Sequence, residues 1–184
     1  MTARKPSVER QPPAKRCIIS EVVDFQILLV DDNPADAHIF EVALKDASTR
    51  VMLYWVASAR EALDFLHQRG RFLDIGPTRI VVLDLNLPRI DGFGVLEQIK
   101  ANPATRQTPV IIFTSSTAPE DVNKAYALGA NAYFTKPMTL DSYVNKLRIL
   151  VQHWLDLAEL PSSSFVTSTP YQQAADRSFF ERDR

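Results

Sequence analysis

Apolar runs punctuate this chain at nearly even intervals. Residues 25–30 read FQILLV, residues 51–56 read VMLYWV, and residues 80–83 read IVVL. Val110–Phe113 and the short stretch Ala132–Phe134 complete a set of five. The first, third and fourth runs are continuous, as expected of strands covered on both faces. Between the runs the period changes to that of helices. Asn33-Pro34 opens the first helix, with asparagine suited to the cap and proline to the first turn; it should end near Ala47. Ser58 to Glu61 has capping-box spacing and precedes Leu63, Phe65 and Leu66. Gly70 ends that helix, and a loop with Gly76-Pro77 follows. A third helix is expected over about 92–101, before Asn102-Pro103. Thr117 to Glu120 repeats the capping-box spacing ahead of a helix that stops at Gly129. Thr139 caps a last helix that reaches about Ala158.

Strands alternating with helices predict a parallel sheet wrapped on both faces. In such sheets ligands bind beyond the carboxyl ends of the strands. The residues after each strand therefore carry the functional information.

Composition narrows the class. The chain has 184 residues, of which 46% are hydrophobic, enough for one domain with a real core. A net charge of −1 gives no sign of a nucleic-acid partner. No apolar run is long enough to span a membrane, and the N-terminus lacks a signal-peptide core, so a cytoplasmic protein is expected. The single cysteine, Cys17, excludes an internal disulfide. His38, His67 and His153 have no metal-ligand spacing. Residues 1–22 are proline-rich and basic and read as a mobile tail, 23–160 as the folded domain, and 161–184 as a mostly irregular tail. Phe165, Tyr171, Phe179 and Phe180 in that second tail could dock elsewhere.

The strand ends bring together Asp31-Asp32-Asn33, Asp84-Leu85-Asn86, Thr114-Ser115-Ser116 and Thr135-Lys136-Pro137. Each residue has a plain explanation. Asp31 or Asp32 could cap a helix, Asp84 could form a turn, Thr114 could be an ordinary strand residue, and Lys136 a solvated charge. Their coincidence at one sheet edge is harder to explain. Three clustered carboxylates repel one another, a cost that a divalent cation removes. Oxygen ligands with room for water suit Mg²⁺. Asp84 could then attack phosphorus and become an aspartyl phosphate. Mg²⁺, the Lys136 ammonium and the Thr114 hydroxyl could each meet one phosphoryl oxygen.

These residues resemble the receiver domain of two-component response regulators. The resemblance rests on LLVDDNP, VVLDLNLP, IIFTSS and YFTKP, in that order and each at a strand end. It implies a flavodoxin-like, doubly wound, five-stranded parallel sheet of order 2-1-3-4-5 with five helices. It makes Asp84 the phosphoacceptor and Lys136 its phosphoryl partner. Asp31 and Asp32 form the acidic pocket, with Asp32 the more direct Mg²⁺ ligand; Asp84 and the backbone carbonyl of Asn86 add two more. Thr114 becomes the switch hydroxyl and Tyr133 the switch aromatic, and Lys136-Pro137 looks like a cis peptide. The implied role is a phosphorylated switch rather than an enzyme, with a sensor histidine kinase as partner. Softer cues, DDNPAD, EALDFLHQRG with its following loop, and DLNLPRIDG, are similar to single-domain regulators paired with bacterial phytochromes.

The 26 or so residues after Ala158 are too few for an ordinary effector domain, so output should run by protein contact, by phosphate shuttling or through a dimer. The apolar positions Leu140, Tyr143, Val144, Leu147, Leu150, Val151, Trp154, Leu155 and Leu157 span roughly 160° of the last helix. A core-facing stripe needs about 100°. The excess predicts a homodimer through the face of the fourth helix, fifth strand and fifth helix. A haloacid-dehalogenase-type phosphatase would need a carboxylate where Asn86 stands. A flavin module would need hydroxyls and glycines where Asp31-Asp32 stand. A scaffold that takes no phosphate remains an alternative.

Overall fold

The computed structural model describes residues 16–18, 25–47, 51–73, 75, 78, 80–88, 90–154 and 158–160. The C-terminal segment with Phe165, Tyr171, Phe179 and Phe180, Leu155 and Leu157 of the last helix, and most of the N-terminal segment lie outside them. Six strands form one sheet: β1 (Arg16–Ile18), β2 (Phe25–Val30), β3 (Val51–Val56), β4 (Ile80–Leu83), β5 (Val110–Thr114) and β6 (Ala132–Thr135). The helices are α1 (Pro34–Ala47), α2 (Ala59–Leu66), α3 (Gly92–Ala101), α4 (Pro119–Ala127) and α5 (Leu140–Gln152), with a short 3₁₀ turn at Gly70–Phe72.

The strand order is β1-β3-β2-β4-β5-β6. Strands β2 to β6 are all parallel, in the expected doubly wound order. β1 is the addition. It pairs antiparallel with β3, Cys17 opposite Leu53, in the segment read from sequence as a tail. Three residues carry no alternation to read. Their strand exists because the outer edge of β3 offers unpaired backbone groups.

Alternate residues of each strand serve opposite faces. Ile27 and Leu29 join α1 and α5 through Phe40, Leu44 and Leu147. Leu28 and Val30 join α2, α3 and α4 through Phe65, Leu96 and Ala125. All four residues of β4 are fully buried, so the central strand is covered on both sides. Tyr143, Leu147, Leu150 and Val151 face this core, and Val144 and Trp154 pack against it. The core thus accounts for most of the broad apolar arc of α5.

Local chemistry sets the helix starts. The hydroxyl of Ser58 accepts from the backbone N–H of Glu61 at 3.3 Å, and Glu61 accepts from Ala57. Thr139 caps α5 through Ser142. Thr117 does not cap α4. That helix begins at Pro119 after Ala118, whose N–H instead donates to the Ser116 hydroxyl at 3.3 Å. The fixed φ of proline at the first turn starts the helix without a side-chain cap.

Candidate functional site

The sheet register brings the site together. Val30 lies opposite Leu83 and Thr114 opposite Thr135. The next residue on three strands is then Asp31, Asp84 and Lys136. Each extends its ladder by one bond: Asp31 N–H to Val56, Asp84 N–H to Val30, and Lys136 N–H to Thr114, at 3.1, 2.9 and 2.7 Å. Their side chains leave the sheet at its carboxyl edge and converge.

Lys136 Nζ donates to Asp84 Oδ2 at 2.6 Å, to Asp31 Oδ2 at 2.7 Å and to Asp36 Oδ2 at 2.8 Å. All three bonds are charge-assisted and short. The other oxygen of Asp84 accepts from the backbone N–H of Asn86 at 3.0 Å. Asp31 is held the same way by Asn33, at 2.9 Å. The Asp84 carboxylate is thus fixed through both oxygens, and Asp84 itself is 5% exposed.

Burial sets the electrostatics. It raises the Asp31 carboxyl to about 6, against the opposing pull of Lys136. Burial also disfavours the Lys136 ammonium, but Asp31, Asp36 and Asp84 outweigh it and hold its pKa above the ordinary lysine range. Three carboxylates around one ammonium leave an excess of negative charge.

That excess bears on a metal. Among the described residues no group of three acidic, imidazole or thiolate side chains is arranged to hold an ion. The Lys136 ammonium stands in the middle of the carboxylates. The donor set nevertheless fits a hard cation: Asp31 and Asp84 both reach one point, and exposed Asp32 and Asn86 adjoin them. Two carboxylates with carbonyl and water oxygens are the usual Mg²⁺ environment.

Thr114 is fully buried at the end of β5. Its hydroxyl oxygen accepts from the Asn86 amide and from the Ser116 N–H, each at 3.4 Å. The same amide donates to Ser115 at 3.0 Å. Asn86 therefore links the loop after β4 to the loop after β5. Tyr133 is half-buried on β6, and its hydroxyl donates to the Ser116 carbonyl at 3.1 Å.

One expectation fails. The Lys136–Pro137 peptide is trans, as is every described peptide bond. The two isomers differ little in energy before proline. Pairing of Lys136 with Thr114 aims the lysine inward without a cis bond.

Two residues of the site escaped the sequence reading. Asp36 lies in the first turn of α1, within the quoted DDNPAD, where an acidic residue reads as a favourable helix-dipole partner. Tyr143 reads from sequence only as one apolar position in the broad arc of the last helix. Its ring packs edge-on against Phe113 at 5.2 Å, and its hydroxyl lies close to the Asp36 carboxylate. Gly92 also supports the site. A Cβ there would lie 2.6 Å from Leu85 Cα and closer still to the backbone oxygen of Asp84. Only glycine lets α3 start against the backbone of Asp84 and Leu85.

The model of the response regulator receiver domain matches residues 27–148. The response regulator Rcp1 of Synechocystis is 34% identical over 137 residues, covering 74% of this chain and 93% of Rcp1. The crystal structure of the phosphorylated cyanobacterial phytochrome response regulator RcpA superposes with a TM-score of 0.72 at 33% identity, covering 75% of this chain and 99% of that one. A Mn²⁺-bound structure of Rcp1 gives the same coverage and TM-score.

Proposed function

Since this chain belongs to the response regulator receiver domain family of two-component systems, we propose that it is a switch set by phosphorylation of Asp84. The observation that carries the reading is the pair Asp84–Lys136 at 2.6 Å, buried at the mouth of the sheet. An Asp84 oxygen would attack the phosphorus of a kinase phosphohistidine. The new P–O bond forms as the P–N bond breaks, and the imidazole nitrogen keeps the electron pair. Lys136 would follow the charge onto a phosphoryl oxygen. A Mg²⁺ ion held by Asp31, Asp32, Asp84 and the Asn86 carbonyl would neutralise the incoming oxygens. The Thr114 hydroxyl uses its oxygen as an acceptor in the present state, so its proton is free for a phosphoryl oxygen. Moving Thr114 would strain its links to Ser116, and Ser116 carries the bond to Tyr133. Phosphorylation would thereby reach the face of α4, β6 and α5.

Output is proposed to run through that face, which exposes Tyr126, Met138 and Leu140, with a homodimer as the form it takes. The kinase partner is proposed to be of the phytochrome class, on the likeness to RcpA. Asn86 carries an amide engaged with Ser115, so it cannot serve as the acid of a phosphatase that turns over external substrate.

The test is phosphotransfer. Histidine-phosphorylated phytochrome kinase should label the wild-type chain in the presence of Mg²⁺ and leave Asp84→Asn unlabelled. Label on the variant would overturn the site. Absence of label on both, from kinases of several sensor classes, would favour a scaffold.

A further inference from the structure

The reaction just described uses two of the three carboxylates that bind Lys136, and Asp36 is left over. We propose that Asp36 is a positioning residue that draws Lys136 toward α1 while Asp84 is unmodified, and so opposes transfer of the ammonium to a phosphoryl group. This rests on the proposed phosphorylation of Asp84.

The contacts describe a restrained carboxylate. Asp36 Oδ2 accepts from Lys136 at 2.8 Å and from the Asn33 amide at 3.1 Å. Asn33 is itself pinned, since its own amide oxygen accepts from the Ala35 N–H at 3.0 Å. From the other side Tyr143 reaches Asp36 out of the buried face of α5. Burial first, then the nearby carboxylates, keep that phenol protonated and able to donate. Asp36 therefore cannot follow Lys136 when the lysine moves.

The energetics give a sign. In the unmodified state Lys136 divides its three N–H groups among Asp31, Asp36 and Asp84. A phosphoryl group on Asp84 adds negative oxygens that compete with Asp36 for the Lys136 N–H groups. The ammonium can pair with them only by loosening its bond to Asp36. The Asp36 charge also repels the phosphoryl oxygens directly. Both effects make the unmodified state more stable relative to the modified one.

The experiment is titration with beryllofluoride in the presence of Mg²⁺, as a mimic of the acyl phosphate. Tryptophan fluorescence gives the signal, because the Trp55 indole donates to the Asp31 carbonyl at 2.7 Å. Asp36→Asn should bind the mimic about fivefold more tightly, the scale of one partly screened charge pair. Asp36→Glu should restore the wild-type affinity, and Tyr143→Phe should shift it in the same direction as Asp36→Asn but less. A Lys136→Met background separates positioning from simple repulsion: the gain from Asp36→Asn should shrink there to the part that direct repulsion supplies. Unchanged or weaker binding by Asp36→Asn would overturn the proposal, as would an equal gain in the Lys136→Met background. Failure of the wild type to bind the mimic would overturn the phosphorylation reading and this inference together.

Discussion

Two lysines of this chain each hold three oxygen atoms, at opposite edges of the same sheet. At the carboxyl edge Lys136 binds the carboxylates of Asp31, Asp36 and Asp84. At the amino ends of β5 and β6, Lys100 binds the carbonyls of Arg106 and Thr108 and the amide oxygen of Asn131, at 3.3, 2.9 and 3.1 Å. Asn131 also accepts the Val110 N–H, so this knot ties α3 to the starts of both strands. The geometry is alike and the chemistry is opposite. Carboxylates raise the Lys136 pKa, whereas neutral oxygens cannot offset burial and the Lys100 pKa is lowered. A lysine capped by carbonyls is a satisfied structural cation. A lysine crowded by carboxylates sits in a field that still attracts positive charge, and is open to exchange.

The largest test of that contrast is removal of the ammonium. Lys136→Met leaves the buried Asp31 and Asp84 and the half-buried Asp36 without their cation, which costs about 3–5 kcal/mol when one partner of a buried pair is lost. Urea unfolding at neutral pH should show this loss, and added Mg²⁺ should restore part of it. No response of the variant to Mg²⁺ would mean that the carboxylates do not form a cation site.

The next effect concerns pH. Asp31 keeps its proton up to about 6 in the folded chain, against 3.8 as the ordinary value. Between those values the folded state binds more protons than the unfolded state, so this residue makes stability fall as pH rises. Asp31→Asn lacks that loss. In Mg²⁺-free buffer its stability relative to wild type should therefore grow from pH 4 to pH 7, by up to about 3 kcal/mol. Parallel unfolding curves for the two proteins across that range would show that Lys136, not burial, governs Asp31.

The smallest effect belongs to the other lysine. Lys100→Met should cost about 1 kcal/mol, because water can reach the carbonyls it leaves. That loss should be indifferent to Mg²⁺, and beryllofluoride affinity should stay at the wild-type level. A Mg²⁺-dependent stability in Lys100→Met would break the contrast between the two edges.

Much of this was legible in the residue order. Buried strands leave apolar runs, as IVVL does at the fully covered β4. The polar residues that end such runs must then gather at one edge, so Asp31, Asp84, Thr114 and Lys136 could be placed near one another before any coordinates. The capping boxes differ in an instructive way. Ser58–Glu61 forms its bonds, while the same spacing at Thr117–Glu120 yields to Pro119 and the Ser116 hydroxyl.

What the sequence determined by itself is the parallel sheet and the edge where Asp31, Asp84, Thr114 and Lys136 gather, because strand burial and right-handed crossovers leave few alternatives; its order followed from the family resemblance. Only the tertiary structure decided which charges share the ammonium. Asp36 is 100 residues from Lys136 along the chain, and the two meet because α1 starts at the sheet edge where β6 ends, while α1 and α5 cover one face of the sheet. That packing brings Tyr143, one of the apolar arc positions, beside the site. It also narrows the exposed part of α5, since residues assigned to a dimer face are spent on the core. Strand β1 was decided the same way, by an open edge on β3 rather than by any pattern of its own. Local periodicity records what a segment needs, and the site depends on which distant segments answer that need.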